Sequence, residues 1–87
     1  MRWSLEFSDR ALKDAVLLRR AKLWKKGATL LDILREDPFR TPPPFEKLTR
    51  ELKGSYSRRI NKQHRVVYDV DKVRRAVFVV RMWSHYE

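Results

Sequence analysis

The feature that most constrains the fold is a set of three short segments near the C-terminus in which apolar and polar side chains alternate. They span residues 55–61, 64–70 and 75–83, with two and four residues between them. Alternation with a period of two is typical of β-strands, and connections this short join neighbouring antiparallel strands. The pattern therefore predicts an antiparallel meander.

Pleating divides the side chains of these strands between two faces of the predicted sheet. We expect the more apolar face to pack on helices, and it comprises Tyr56, Arg58, Ile60, Val66, Tyr68, Val70, Phe78, Val80 and Met82. The other face is mixed and contains Arg59, Arg65 and Arg81. It is predicted to form an exposed, arginine-rich surface.

The N-terminal half predicts a strand followed by a helical hairpin. Residues 3–7 alternate as a half-buried strand does, and Ser8 is suited to cap a helix over residues 9–20. The inner stripe of this helix is assigned to Leu12, Ala15, Val16 and the stem of Arg19. A second helix is predicted over residues 21–36. Gly27 lies on its apolar face and predicts either close backbone packing or a break between two helical segments.

Prolines separate the helical half of the chain from the strands. Asp37-Pro38 ends the second helix, and residues 41–44 form a Thr-Pro-Pro-Pro connector predicted to be extended. Leu48 and Leu52 at a spacing of four suit one or two helical turns. We therefore predict a single α+β domain over residues 1–87, with an N-terminal strand and helical hairpin packed on an antiparallel β-sheet.

Charge and composition restrict the partners. Lysine and arginine number 21 against 11 acids, a net charge of +10, which favours a polyanionic partner. That partner is either nucleic acid or an acidic protein covering the basic face, and a basic but merely solvated surface is the alternative.

The absence of cysteine excludes disulfides and thiolate chemistry. No stretch approaches the ~20 apolar residues of a membrane span, so we expect a cytoplasmic protein.

A carboxylate, several guanidiniums and an imidazole lie in the C-terminal half, at Glu46, Arg59, Arg65 and His85. RNA cleavage without a metal or other cofactor requires these groups. The 2′-hydroxyl must lose a proton as it attacks phosphorus, the added negative charge must be neutralised, and the leaving 5′-oxygen must be protonated. DNA lacks the nucleophile and is expected to be inert.

Four motifs, PPFEKL (43–48), LKGSYSRRI (52–60), HRVVY (64–68) and WSHY (83–86), resemble those of the YoeB/Txe toxins of the RelE superfamily. The resemblance implies a RelE-like fold and a toxin of a bacterial type II toxin–antitoxin pair. It implies an endoribonuclease that cleaves messenger RNA in the ribosomal A site, inhibits translation and is held inactive by a YefM/Axe-like antitoxin. Members of the family can pair as homodimers.

The same resemblance implies roles for individual residues. Glu46 matches the general base, Arg65 the phosphate-contacting arginine, His85 the general acid, and Tyr86 the aromatic residue beside it. Arg59 matches a basic residue of the same RNA-binding surface, to which Arg81 is assigned from the strand pattern. Trp83 and Tyr86 are either core or base-stacking aromatics.

One position departs from the family pattern. Where some members have a lysine three residues after the glutamate, this chain has Thr49. Lys47, Arg50 and Lys53 are the candidates to supply that charge to the RNA.

Other interpretations remain open at this stage. His64 is interpreted as a structural residue at a hairpin end, and Arg58 as a structural residue of the inner face.

The second hypothesis for the function is a binding module that inhibits DNA gyrase, as ParE-type members of the superfamily are thought to do. A non-enzymatic protein that binds RNA or the ribosome is the third.

Overall fold

A computed structural model of the chain describes residues 2–49 and 54–83. In chain order the elements are β1 Ser4–Phe7, α1 Asp9–Arg20, α2 Trp24–Glu36, β2 Glu46–Lys47, β3 Tyr56–Arg59, β4 Arg65–Asp71 and β5 Ala76–Arg81. The two helices pack on a five-stranded sheet, which confirms the α+β class.

The sheet has the strand order β1-β5-β4-β3-β2. Strands β3 to β5 pair antiparallel, as the meander predicted. Strand β2, which was not predicted, pairs antiparallel with β3. Strand β1 instead pairs in parallel with β5, so the sheet is mixed rather than wholly antiparallel. The chain leaves β1 through the helical hairpin. The last strand, β5, later runs beside β1 and in the same direction as β1. Alternation marks a strand but does not encode its neighbour.

Helix α1 is rotated from the predicted orientation. Ser8 caps it as expected, since its Oγ accepts a hydrogen bond from the Ala11 amide at 2.9 Å. The residues that face the core are Ala11, Asp14, Ala15 and Leu18. Leu12 and Val16, which were expected inside, are 54% and 43% exposed. The assignment was wrong for them because a buried aspartate occupies the inner side of the helix.

Helix α2 begins at Trp24 and not at residue 21, because residues 21–23 form a turn in which Lys22 adopts a positive φ of 62°. Gly27 confirms the prediction of close packing. A Cβ at this position would lie 3.3 Å from the Leu18 Cδ1 atom and 3.6 Å from the Met82 Cε atom. The glycine lets α2 approach both α1 and the end of the sheet.

A β-bulge in β5 changes which side chains face the core. Tyr68 is opposite Val79 and Val67 is opposite Arg81, so Val80 is an extra residue without a partner across the ladder. Val79 is buried and Phe78 is 41% exposed, so Phe78 was wrongly assigned to the inner face. Met82 is buried as predicted, because the bulge restores the expected alternation after Val80.

Arg58 ties the proline connector to the sheet. Its side chain is buried, with the residue 1% exposed, and it donates to the Pro38 carbonyl at 3.0 Å and to the Pro43 carbonyl at 2.5 Å. Its Nε donates to the Tyr68 hydroxyl at 3.1 Å, and that hydroxyl donates to the Pro38 carbonyl. This confirms the structural interpretation of Arg58. The connector bends at Pro42 and Pro43 instead of running straight.

Burial raises the pKa of the Tyr68 hydroxyl above its ordinary value of 10.0, although the neighbouring Arg58 charge acts in the opposite direction. The ring stacks on Tyr56 at 5.8 Å between centroids. Phe39 and Phe45 extend this aromatic cluster by edge contacts with Tyr56. The cluster fills the space between the connector and the sheet.

Among the helices within residues 2–49 and 54–83, none has the length and apolar character needed to cross a bilayer.

Candidate active site

Strand β2 places the Glu46 side chain on the face of the sheet that also carries Ser57. Glu46 pairs directly opposite Ser57, and Lys47 pairs opposite Tyr56. The strand is held at its end by Leu48, which is buried and whose amide donates to the Ser55 carbonyl at 2.8 Å. The helical turns suggested for this segment were therefore wrong for residues 46–47, and Leu52 lies outside the described residues.

Arg65 opens strand β4 and reaches towards Glu46. Its Nη1 lies 3.7 Å from the Glu46 Oε2 atom and donates to the Ser57 Oγ atom at 3.5 Å. The Arg65 side chain is 15% exposed, whereas the Glu46 side chain is 64% exposed. The cation is thus embedded in the wall of the site, and the carboxylate remains open to an incoming group.

Arg59 adds a second guanidinium, since β3 places it directly opposite Arg65. A cleft of about 100 Å³ is lined by Pro43, Pro44, Glu46, Ser57, Arg59 and Arg65. Pockets that enclose a drug-sized ligand have volumes of roughly 300 to 1,000 Å³. This cleft therefore suits one phosphate group of a longer chain better than a whole small molecule. Its two cations and one carboxylate favour an anionic group.

Three residues assigned to RNA binding do not line this cleft. Lys47 faces the opposite side of β2, beside Tyr56. Arg81 is separated from Glu46 by three inter-strand spacings, about 14 Å at the usual ~4.8 Å each, and its Nε lies 3.3 Å from the Asp14 Oδ2 atom. Trp83 stacks on His64 with 3.8 Å between ring centroids.

The His64 ring belongs to the structural contact at the hairpin end. The residue is 3% exposed, which agrees with its interpretation as a structural residue. Trp83 is partly buried, and one face of its indole is covered by His64. The contact favours a packing role for that face of Trp83.

The remaining predicted residues are Arg50, Lys53, His85 and Tyr86, which lie outside the described residues. Thr49 lies within them. The structure therefore brings together Glu46, Arg59 and Arg65 out of the predicted set.

Two parts of the cleft were not predicted as site residues. Ser57 is 3% exposed and accepts a hydrogen bond from Arg65. Its position two residues before Arg59, on the same pleat, was the signal that could have identified it. Pro43 and Pro44 form a wall of the cleft, although the connector was interpreted only as a spacer. Residues 2–49 and 54–83 contain no group of three His, Cys, Asp or Glu side chains arranged to hold a metal ion.

The chain is similar to known proteins over nearly its whole length. Residues 7–86 match the family described as YoeB-like toxin of bacterial type II toxin-antitoxin system. Toxin YoeB of Synechocystis sp. (strain ATCC 27184 / PCC 6803 / Kazusa) is 35% identical over 66 residues, which cover 76% of this chain and 74% of that protein.

Two solved structures from Staphylococcus aureus share the fold. The YoeB-YefM complex matches with a TM-score of 0.77 and 35% identity, covering 99% of this chain and 100% of that chain. The YoeB dimer matches with a TM-score of 0.79, 35% identity and the same coverage of each chain.

Proposed function

The chain belongs to the YoeB-like toxins of bacterial type II toxin-antitoxin systems, and from this membership we propose that it is a metal-independent endoribonuclease. Its substrate is messenger RNA held in the ribosomal A site. The observation that carries the proposal is the position of the open Glu46 carboxylate, 3.7 Å from the embedded Arg65 guanidinium at a cleft that fits a phosphate.

The first half of the proposed reaction uses Glu46 and Arg65. Glu46 accepts the proton of the 2′-hydroxyl as the oxygen attacks the adjacent phosphorus. Arg65 stabilises the negative charge that develops on the non-bridging oxygens, and its contact with Ser57 holds the guanidinium in place. Arg59, opposite Arg65, attracts the same phosphate.

The second half requires an acid for the leaving 5′-oxygen, and we assign this role to His85 with Tyr86 beside it. Breaking the phosphorus–oxygen bond leaves a 2′,3′-cyclic phosphate on one product and a 5′-hydroxyl on the other. His85 donates the proton that the 5′-oxygen takes up, and proton transfer of this kind contributes typically ~10² to 10⁴-fold. The ribosome supplies the in-line geometry of the 2′-hydroxyl.

The proposed partners follow from the charge of the chain and from its relatives. The Staphylococcus aureus protein is found in a complex with YefM and as a dimer. We propose that a YefM-like antitoxin covers the basic surface here and that the chain can also pair with itself. An acidic antitoxin segment complements a net charge of +10.

A gyrase-inhibiting module of the ParE type is the competing function. Such a module has no need for a carboxylate beside an embedded arginine in a phosphate-sized cleft. The juxtaposition of Glu46, Ser57 and Arg65 therefore favours the nuclease.

The test is primer extension on a defined messenger RNA, with and without ribosomes stalled on it, comparing wild type with Glu46→Gln. The matched control is Glu36→Gln, because Glu36 is also an exposed carboxylate 3.7 Å from an arginine, Arg40. We expect cleavage at the A-site codon only with ribosomes, abolished by Glu46→Gln and retained by Glu36→Gln. Toxicity without cleavage would instead support the gyrase-type module.

A further inference from the structure

A buried carboxylate outside the cleft has no part in the proposed reaction. Asp14 lies on the inner side of α1 and is 1% exposed. Its Oδ2 atom accepts a hydrogen bond from the Met82 amide at 2.9 Å and lies 3.3 Å from the Arg81 Nε atom. Its Oδ1 atom lies 3.8 Å from the Arg10 Nε atom. The Asp14 side chain of α1 thus contacts the Met82 backbone and the Arg81 side chain at the end of β5.

Burial of a carboxylate is costly unless hydrogen bonds and a cation compensate it. Helix α1 has small or apolar side chains at its other core-facing positions, Ala11, Ala15 and Leu18. Packing alone would favour a residue of that kind at position 14. The polar contacts therefore point to a role in fixing the backbone beyond Arg81, where the Met82 amide has left the sheet and needs an acceptor.

Ser8, the residue that caps α1, holds the same segment. The Ser8 Oγ atom donates to the Val80 carbonyl at 2.7 Å, so the bulged residue is fixed two positions before Met82. The Met82 side chain is fully buried and Trp83 stacks on His64. Backbone and side-chain contacts together fix the course of residues 80–83.

We propose that Asp14 is a positioning residue for the nuclease, because it fixes the backbone from which the chain continues to His85 and Tyr86. The inference rests on the proposed function. Asp14 does not contact the reacting atoms. It acts through Met82, whose amide lies three residues before the proposed acid.

The first experiment compares Asp14→Ala and Asp14→Asn with wild type in cleavage of ribosome-bound messenger RNA. We expect kcat to fall roughly 10- to 100-fold for Asp14→Ala, as small misplacements of catalytic groups do, with KM for the programmed ribosome unchanged. Asp14→Asn retains an oxygen for the Met82 amide but loses the charge facing Arg81, so an intermediate loss is expected. Asp32→Asn is the control, because Asp32 pairs with Arg35 on the exposed side of α2.

An RNA substrate with a different leaving group distinguishes a positioning role of Asp14 from a purely structural one. A messenger RNA with sulfur in place of the 5′-bridging oxygen at the cleavage site releases a thiolate, which departs without protonation. If Asp14 acts through the acid, the defects of Asp14→Ala and His85→Ala both disappear on this substrate. A defect of Asp14→Ala that persists while that of His85→Ala is rescued overturns the proposal.

Amide hydrogen exchange tests the contact without reference to cleavage. In Asp14→Ala we expect exchange of the Met82 amide to accelerate at least about 10-fold relative to Val77, which lies within the sheet. If Asp14→Ala does not fold, Asp14→Leu, which is closer in volume to aspartate and likewise gives the Met82 amide no acceptor, provides the same reading. Unchanged protection of Met82 overturns the proposal. Absence of cleavage by wild type overturns the proposed function, and with it the role of Asp14, even where the Met82 exchange behaves as expected.

Discussion

The Arg65 guanidinium lies 3.7 Å from the Glu46 carboxylate and donates to the Ser57 Oγ atom, on the strand that lies between β2 and β4. The two side chains differ in exposure, at 15% for the arginine and 64% for the glutamate. Such an ion pair contributes little to folding, because an exposed partner is screened by water. Its arrangement is better explained by chemistry on a group that enters from solvent.

Arg65→Lys is expected to lower single-turnover cleavage by roughly 10²-fold, because removal of one preorganised donor to the transition state costs that much. Lysine keeps the charge but loses the planar, two-sided donor geometry of arginine. The control is Arg40→Lys, since Arg40 lies 3.7 Å from Glu36 on the surface. Cleavage by Arg65→Lys at the wild-type rate would mean that charge alone suffices at this position.

Tyr68→Phe is expected to lower the free energy of unfolding by about 1 to 3 kcal/mol near neutral pH. The hydroxyl accepts from Arg58 and donates to the Pro38 carbonyl, and phenylalanine leaves both groups without this partner. Urea unfolding gives the difference. A change below 0.3 kcal/mol, on the order of experimental error, would show that water replaces the hydroxyl.

The same tyrosine predicts a pH dependence in the alkaline range. Its pKa is raised above 10.0 in the folded protein, so ionisation favours the unfolded chain. Its contribution to stability is complete below pH 10 and declines as pH rises through the folded-state pKa. Wild type should therefore lose more stability than Tyr68→Phe as the pH rises from about 9 to about 11, which is roughly one pH unit on either side of the ordinary tyrosine pKa. Parallel losses would assign the alkaline instability to other groups.

Gly27→Val is expected to destabilise the protein by roughly 1 to 3 kcal/mol through overpacking. A Cβ at position 27 already lies 3.3 Å from Leu18, and the branches of valine add atoms towards Met82. Lys26→Val on the exposed side of α2 is the control for introducing a β-branched residue into the helix. Thermal unfolding of both variants measures the difference. Equal stabilities would show that the two helices can separate at no cost.

The strands and the helical hairpin could be predicted because their side-chain periodicity follows directly from burial on one side. The orientation of α1 could not, because Asp14 is polar and yet lies on the inner side of the helix. Its partners come from Arg81 and Met82, nearly seventy residues away along the chain. A local pattern contains no information about such a partner.

The set of β5 side chains that face the core was also mispredicted, because it too depends on contacts with another part of the chain. The bulge at Val80 depends on how β5 pairs with β4, and no residue within β5 marks it. In the cleft, Glu46 and Arg65 were identified from the resemblance to the family. Ser57 was missed, because a small polar residue on a pleat gives no signal until its neighbours across the sheet are known.

Arg59→Gln and Lys47→Gln compare two exposed cations on opposite faces of the sheet edge. Arg59 lines the cleft opposite Arg65, whereas Lys47 lies beside Tyr56. We expect Arg59→Gln to weaken binding of the programmed ribosome and to reduce the slope of log KM against log salt by roughly 0.7, the value for one phosphate contact with single-stranded nucleic acid. Lys47→Gln should leave both quantities unchanged. Cleavage kinetics at three salt concentrations provide the measurement. Equal effects of the two substitutions would mean that Lys47 reaches the RNA, and would make it the substitute for the lysine that Thr49 replaces.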